Sequence, residues 1–175
     1  MRAAHEAEFV KFVTQTSPRL LTTAWMLTSD PVAAEDLVQE ALERVYVRWG
    51  RLRSGNPAAY ARRILANLHT DGWRKRRREV LSDSPPERDP LDAGAGVGSR
   101  PSGSPADSQN VDLVRALQEL PTRERECIVL RHYLDLSEKQ TAEALGISVG
   151  SVKNYTMKGL RGLRAQLLEG ETTHV

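Results

Sequence analysis

Residues 137–164 read SEKQTAEALGISVGSVKNYTMKGLRGLR and contain the strongest structural signals of the chain. Ser137 and Gln140 stand three residues apart before an apolar run, which is the spacing of a capping box that opens a helix. Gly146 follows the end of that short helix, and Ser148 is placed to cap the next one. Two helices joined by a tight glycine-containing turn predict a helix-turn-helix, whose second helix enters the major groove of DNA.

The second helix of this motif carries a polar stripe. Its members are three, four and three residues apart and therefore share one face: Ser151, Asn154, Lys158 and Arg161. Arg and Asn suit the edges of bases, and Lys153, Arg164 and the capping Ser148 complete the candidate DNA-binding set. A solvated helix face is the alternative, but the preceding turn favours DNA. We expect Val152, Leu160, Leu163 and Leu167 to face inward.

The rest of the chain also predicts helices. Asp30-Pro31 and Asn56-Pro57 are helix-start signals, and no segment alternates as a strand would. Between 82 and 105, 14 of 24 residues are Pro, Gly or Ser, a composition that buries too little apolar surface to fold. We predict an all-α fold of two small helical domains, 1–79 and 111–168, joined by a flexible linker over 80–110 and followed by a disordered tail over 169–175. Composition alone does not separate a working linker from a loop without a role.

The helix predicted over 33–49 is acidic. Asp36, Glu40 and Glu43 share a face with Gln39 beside them, and such like charges repel one another on an isolated helix. The arrangement is typical of a surface on which a basic protein docks. An ion pair of Glu40 with Arg44 is the simpler alternative.

The helix predicted over 57–78 is basic. Residues 56–79 contain seven basic and two acidic side chains, a local excess that the net charge of +2 for the whole chain conceals. The stripe of Arg63, Asn67, Asp71 and Arg74 leads into Lys75, Arg76, Arg77 and Arg78, and five consecutive cations favour a polyanion. Asn67 and His69 can pair with base edges, while Trp73 stacks on a base or completes the core. A solvated or nuclear-localisation-like tail is the alternative.

Several kinds of site are excluded by composition. Cys127 is the only cysteine, so no internal disulfide is possible, and a core position in a reducing cytoplasm is expected for it. Four scattered histidines offer no zinc spacing, and no glycine-rich phosphate loop occurs. The longest stretch without charge, Leu20–Ser29, is ten residues against the roughly 20 that span a bilayer. We therefore expect no catalytic residue, metal, cofactor or membrane contact.

Four strings carry a family resemblance: AEDLVQEA at 34–41, NPAAYARR at 56–63, LPTRERE at 120–126 and GISVGSVKN at 146–154. Together they resemble the extracytoplasmic-function (ECF) sigma factors of bacterial RNA polymerase, and within them the actinobacterial SigE-like group. Thr141 stands where the family usually has an aliphatic residue, and Asn154, Tyr155 and Met157 replace commoner residues of the last helix.

The resemblance implies a role for each domain. The first would bind the beta-prime clamp helices of core polymerase through Asp36, Leu37, Gln39, Glu40 and Glu43. It would also recognise and open the minus-ten element through Arg63, Asn67, His69, Asp71, Arg74, Lys75, Arg76 and Arg77. The second would recognise the minus-thirty-five element through Ser148, Ser151, Lys153, Asn154, Lys158, Arg161 and Arg164, while its outer surface meets the flap of the beta subunit.

The implied function is that of a sigma factor, monomeric outside the holoenzyme, that gives polymerase its promoter choice. An anti-sigma factor is a further partner that the resemblance leaves open. A stand-alone dimeric helix-turn-helix regulator is the main alternative, and it leaves the acidic face at 33–43 without a purpose. A small nuclease or DNA-modifying enzyme would need clustered carboxylates or an activated nucleophile, and only Asp71 lies near the basic stripe.

Overall fold

Helices form the regular structure of residues 2–83 and 106–172, which are the residues that the computed structural model describes. The chain divides into two compact units, Met1–Glu79 and Val80–Val175. The first holds α1 (Arg2–Thr28), α2 (Pro31–Val47), α3 (Trp49–Leu52) and most of α4 (Pro57–Asp83). The second holds α5 (Ala106–Gln118), α6 (Thr122–Ile128), α7 (Glu138–Leu145) and α8 (Val149–Thr172). The described part contains no strand, and the all-α prediction is confirmed.

Side-chain caps start the helices of the first unit where the sequence signals predict. Oδ1 of Asp30 accepts hydrogen bonds from the backbone N–H of Val32 at 2.9 Å and of Ala33 at 3.3 Å. Oδ1 of Asn56 accepts one from Ala59 N at 2.9 Å. Each bond satisfies a backbone donor that the first turn of a helix leaves without an intrahelical partner. These caps set the start, and hence the register, of α2 and α4.

The core of the first unit forms where α1 packs along α2. Its fully buried side chains include Leu20, Ala24 and Leu27 of α1, Ala34, Ala41 and Val45 of α2, and Ala61 and Leu65 of α4. Pro18 lies inside α1, although the sequence left open a second helix start at this position. Proline removes one backbone donor, but the buried residues that follow it hold the helix against α2. At one end of the core, the rings of Phe9 and Phe12 each lie 5.1 Å from that of Trp49.

The helix-turn-helix is formed as predicted in the second unit. Ser137 Oγ accepts from Gln140 N at 3.0 Å and the Gln140 side chain accepts from Ser137 N at 2.8 Å, which completes the capping box. Gly146 ends α7 in the left-handed conformation, with φ 67° and ψ 35°. Ser148 Oγ then accepts from Ser151 N at 3.0 Å and caps α8. Before α7, α6 continues into a π-helical turn over Val129–Tyr133.

The inward face of α8 differs from the expected one. Leu160 and Leu167 are each 42% exposed, whereas Val152 and Gly159 are buried. A Cβ atom on Gly162 would lie 2.8 Å from Cδ2 of Leu120, so the helix approaches its neighbours along a glycine-containing face. The sequence prediction placed the large aliphatic side chains inward because it could not foresee so close an approach.

Three helix ends also differ from the predicted boundaries. Helix α4 reaches Asp83 and α5 begins at Ala106, so helix occupies both ends of the predicted linker. Helix α8 reaches Thr172, within the predicted tail, because Gly170 weakens a helix without stopping it. The predicted linker between 84 and 105 and the tail residues 173–175 lie outside the described residues. None of the helices described here is both long and apolar enough to cross a membrane.

Candidate protein and nucleic-acid interfaces

The acidic residues predicted on α2 lie on its exposed face. Asp36, Gln39, Glu40 and Glu43 are exposed, and Leu37 at the flank is half-buried. Arg44 Nη2 donates to Glu40 Oε1 at 2.6 Å, which is the ion pair proposed above as an alternative to a docking surface. Both side chains of this pair are about half exposed. Such a surface pair contributes only about 0.3–0.5 kcal/mol. Asp36 makes no ion pair with any described residue, so the face keeps a negative charge.

A groove that the sequence analysis missed runs between α1 and α2, beside the acidic face, with a volume of about 1040 Å³. It is lined by apolar side chains from both helices, among them Val10, Val13 and Leu21 of α1 and Val38, Leu42, Tyr46 and Val47 of α2. Gln39 and Glu43 belong both to this lining and to the acidic face. Val10, Val13 and Leu21 stand at helical spacing beside the buried Leu20, Ala24 and Leu27 of α1, but this spacing does not indicate which of these side chains α2 leaves uncovered.

The basic stripe of α4 is only partly assembled as predicted. Arg63, Asn67, Asp71, Arg74 and Lys75 are exposed along the helix. Arg74 Nη1 lies 4.0 Å from Asp71 Oδ1, a distance at the outer limit of an ion pair.

One residue of the predicted minus-ten set, beside the stripe, is misplaced. His69 is only 8% exposed and lies in the core, so it is not part of the candidate DNA surface. Leu68, His69 and Thr70 are all buried, so three consecutive residues of α4 face the core. Helical spacing of apolar residues did not indicate so broad a buried face. Arg76 and Arg77 lie within α4, but their side chains, like that of Trp73, fall outside the described part of the structure.

The polar face of α8 is largely unpaired. Asn154, Lys158, Arg161 and Arg164 are exposed and make no hydrogen bond or ion pair with described residues. Lys153 Nζ lies 3.7 Å from Glu138 Oε2. Ser148 and Ser151 are engaged with one another at the start of the helix, with their hydroxyl oxygens 2.8 Å apart. The face therefore presents free donors and positive charge, as a groove-binding helix requires.

Buried ionisable groups lie behind this face, on α6. Arg123 Nη1 donates to Glu126 Oε2 at 3.1 Å, and the Glu126 side chain is 2% exposed. Burial lowers the pKa of Arg125, with Glu126 opposing the shift. Burial, and then the charge of Glu126, raise the pKa of Cys127 to about 12. These groups support the helix-turn-helix from inside, and residues 2–83 and 106–172 contain no cluster of three potential metal ligands.

Comparison with known proteins decides the family. The family model of Sigma-70 region 2 matches residues 12–79, and that of Sigma-70 region 4 matches residues 110–163. The chain is 35% identical over 165 residues to the RNA polymerase sigma-E factor of Streptomyces coelicolor, covering 92% of this chain and 86% of that protein. The chain is an ECF sigma factor. It is also 37% identical over 166 residues to the sigma-E factor of Streptomyces avermitilis, covering 91% and 85% of the two chains.

A solved structure agrees with this assignment. The sigma factor RpoE of Bartonella quintana, in complex with the anti-sigma factor NepR, shares 27% identity with this sigma factor. The two superpose with a TM-score of 0.57, covering 91% of this chain and 96% of the other. As a sigma factor, the protein acts with RNA polymerase and promoter DNA to direct promoter recognition and transcription initiation.

Proposed function

We propose that the two units divide the work of a sigma factor. Helix α2 binds the beta-prime clamp helices of core polymerase, α4 recognises and opens the minus-ten element, and α8 recognises the minus-thirty-five element. The outer surface of the second unit contacts the flap of the beta subunit. This activity needs the binding and orientation of polymerase and DNA, and no catalytic group of this chain. The protein acts in the cytoplasm. Outside the holoenzyme it is a monomer.

The separation of opposite charges supports this division. The exposed face of α2 is acidic through Asp36, Glu40 and Glu43, while α8 presents Lys158 and Arg161 without a partner among the residues that the structure describes. DNA repels the first face and attracts the second, so the two faces suit different partners. This single observation also argues against a stand-alone DNA regulator, which has no use for an anionic docking face.

The surroundings of the α8 side chains support separate roles for these residues. Asn154 and Arg161 carry forked or paired polar groups suited to base edges, whereas Lys153 is held near Glu138 at the margin. A lysine at the edge of a groove-bound helix suits a phosphate, which positions the protein without selecting a sequence. On α4, Arg63 and Asn67 lie exposed on the same stripe and suit the minus-ten strand.

A protein inhibitor is a further partner that we propose. The structure of Bartonella RpoE is that of a complex with the anti-sigma factor NepR, and the present chain resembles RpoE over nearly its whole length. By that likeness, an anti-sigma factor would restrain this protein by covering surfaces that polymerase needs.

Transcription in vitro tests the proposed function. Core polymerase is supplied with a library of promoter fragments, with and without the purified protein, and the start points of the RNA chains are sequenced. We expect defined starts only when the protein is present, with two conserved boxes upstream of them. If the protein gives no start points but binds a duplex operator tightly as a dimer, the stand-alone regulator is the correct function.

A further inference from the structure

Glu138, in the first turn of α7, lies between two cations that belong to different elements. Its Oε2 is 3.7 Å from Nζ of Lys153 on α8, and its Oε1 is 4.0 Å from Nη2 of Arg131 in the π-helical turn. Arg131 is held in place, because its Nη1 donates to the carbonyl oxygen of Leu136 at 2.6 Å. The carboxylate therefore connects the turn before the helix-turn-helix to the helix that carries the candidate DNA-binding stripe.

The fold brings these charges together although Glu138 and Lys153 are 15 positions apart in the sequence. The capping box of Ser137 fixes the start of α7, and the hydroxyl of Ser148 fixes the start of α8. Because α7 packs on α8, the two side chains leave their helices near these fixed starts. The approach of the two charges thus follows from the geometry of the motif.

The two partners of Glu138 differ in exposure. The Lys153 side chain is 63% exposed, whereas that of Arg131 is only 28% exposed. An ion pair of an exposed lysine contributes little to stability, so a DNA phosphate can replace Glu138 as the partner of Lys153. Arg131 stays beside the carboxylate, because its bond to the backbone holds it there. The exchange therefore leaves the carboxylate beside a compensating charge.

We propose that Glu138 is a positioning residue that competes with DNA phosphate for Lys153 and so limits the sequence-independent affinity of α8. This rests on the function proposed for α8 and adds a residue outside the candidate DNA-binding set. A lysine–phosphate contact attracts α8 to any DNA. When a carboxylate opposes part of that attraction, the base contacts of Asn154 and Arg161 account for more of the binding. Arg164, also assigned to phosphate, makes no ion pair with a described residue and is not opposed in this way.

DNA binding by the reconstituted holoenzyme tests the proposal through Glu138→Gln, which removes the charge and keeps the size of the side chain. The duplex carries the minus-thirty-five element and ends before the minus-ten element, so that opening of the DNA does not contribute. At low salt we expect about fivefold tighter binding, as loss of one charge pair at about 4 Å in water predicts, and a smaller gain at high salt. The salt dependence should steepen by about one phosphate contact, which a merely structural effect would not produce.

Three further variants separate an action through Lys153 from a general effect of charge. Glu143→Gln removes the same charge from an exposed position of α7 and should change the affinity by less than about twofold. In a Lys153→Gln background, Glu138→Gln should lose most of its effect, as a double-mutant cycle measures. Glu138→Asp keeps the charge and should bind more weakly than Glu138→Gln. Circular dichroism melts check that each variant folds, since an acid in the first turn also stabilises α7.

The other outcomes overturn the proposal in distinguishable ways. If Glu138→Gln gains as much affinity without Lys153 as with it, the carboxylate repels phosphates directly. If Glu143→Gln gains equally, the net charge of the unit is responsible. If Glu138→Gln binds more weakly, the carboxylate orients Lys153 toward DNA and does not compete with it.

Replacing the bases of the minus-thirty-five element separates the proposal from the function on which it rests. If this replacement weakens binding while Glu138→Gln changes nothing, only the Glu138 proposal is overturned. If the replacement itself leaves binding unchanged, α8 does not recognise that element. The function proposed for α8 then fails, and the role of Glu138 fails with it.

Discussion

A Cβ atom on Gly159 would stand 2.7 Å from Cδ1 of Ile128. Helix α8 thus crosses α6 with no space for even a methyl group, and the Cβ and carbonyl oxygen of Glu124 lie nearly as close, at 3.1 and 3.2 Å. This contact holds the helix that carries Asn154 and Arg161 against the helix behind it. The orientation of the proposed DNA-binding face therefore depends on a residue that has no side chain.

Alanine at position 159 should destabilise the second unit, although alanine favours helix more than glycine does. The crowding costs about 1–3 kcal/mol, which exceeds the gain in helix propensity of about 1 kcal/mol. Gly150→Ala is the matched control, because its nearest neighbour, Ser148 Oγ, is 3.8 Å away. Hydrogen exchange of the α6 and α8 amides should be faster in Gly159→Ala and slower in Gly150→Ala. Adding Ile128→Val should restore part of the protection, and equal effects at both glycines would contradict the crowding.

Valine in place of Thr141 should stabilise the second unit. Thr141 is fully buried in α7, and its hydroxyl has no hydrogen-bond partner in the described part of the chain. Replacing the hydroxyl by a methyl group removes an unsatisfied polar atom, with an expected gain of about 1 kcal/mol in the free energy of unfolding. Hydrogen exchange of the α7 amides measures this gain in stability. Thr141→Ser, which keeps the hydroxyl and loses the methyl, should be less stable, and a gain there would refute the explanation.

The thiol of Cys127 should be inert in the folded protein. Its pKa is raised to about 12, first by burial, so the thiolate that reacts with alkylating agents is scarce at pH 8. Because the unfolded thiol ionises near pH 8.5, stability from this group is complete below that pH and is lost as the pH rises toward 12. Iodoacetamide labelling followed by mass spectrometry should be slow in buffer and fast in urea. Rapid labelling of the native chain would show an open second unit.

Reversing the charge of Asp36 and Glu40 should abolish binding to core polymerase without unfolding the chain. Both side chains are exposed on α2, so arginine is accommodated there but repels a basic partner. Co-purification with core polymerase and circular dichroism measure the two effects. Glu8→Arg is the control, since Glu8 pairs with Arg53 at 3.2 Å and does not line the groove. Retained binding by the double variant would remove α2 from the polymerase interface.

Residues of α8 should separate into two classes in DNA binding. Asn154→Ala and Arg161→Ala should change base preference at single upstream positions, at about 1–3 kcal/mol each. Lys153→Ala and Arg164→Ala should weaken all sites alike and reduce the salt dependence, as loss of a phosphate contact does. Binding to a library of upstream sequences at several salt concentrations distinguishes the classes. An unchanged preference in the first pair would remove those residues from base recognition.

Neutralising Arg76 and Arg77 should weaken DNA binding by the holoenzyme uniformly across promoters. The two cations belong to a run of five in the sequence, so they attract the phosphate backbone whatever its sequence. The slope of binding against salt concentration should fall with each charge removed. A change in base preference, with an unchanged slope, would assign them to base contacts instead.

Local signals in the sequence were sufficient for the starts of α2, α4 and α7. Asp30, Asn56 and Ser137 act through hydrogen bonds within three residues, so their effect does not depend on tertiary structure. The packing face of α8 and the burial of His69 depend on how closely other helices approach, which no local pattern encodes. The groove was missed for the same reason, because Val10 and Tyr46 are 36 positions apart and line one groove only when α1 lies along α2.

The π-helical turn at Val129–Tyr133 gives the second unit a place that can lose one residue. Leu134 N donates to Val129 O at 3.0 Å, so this turn accommodates one residue more than an α-helical turn. In-frame loss of a single codon here would restore α-helical geometry and keep the following chain in phase. Loss of one residue inside α6 or α8 would instead rotate the rest of that helix by about 100°. Descendants of this gene should therefore tolerate a one-residue deletion in this turn better than in either helix.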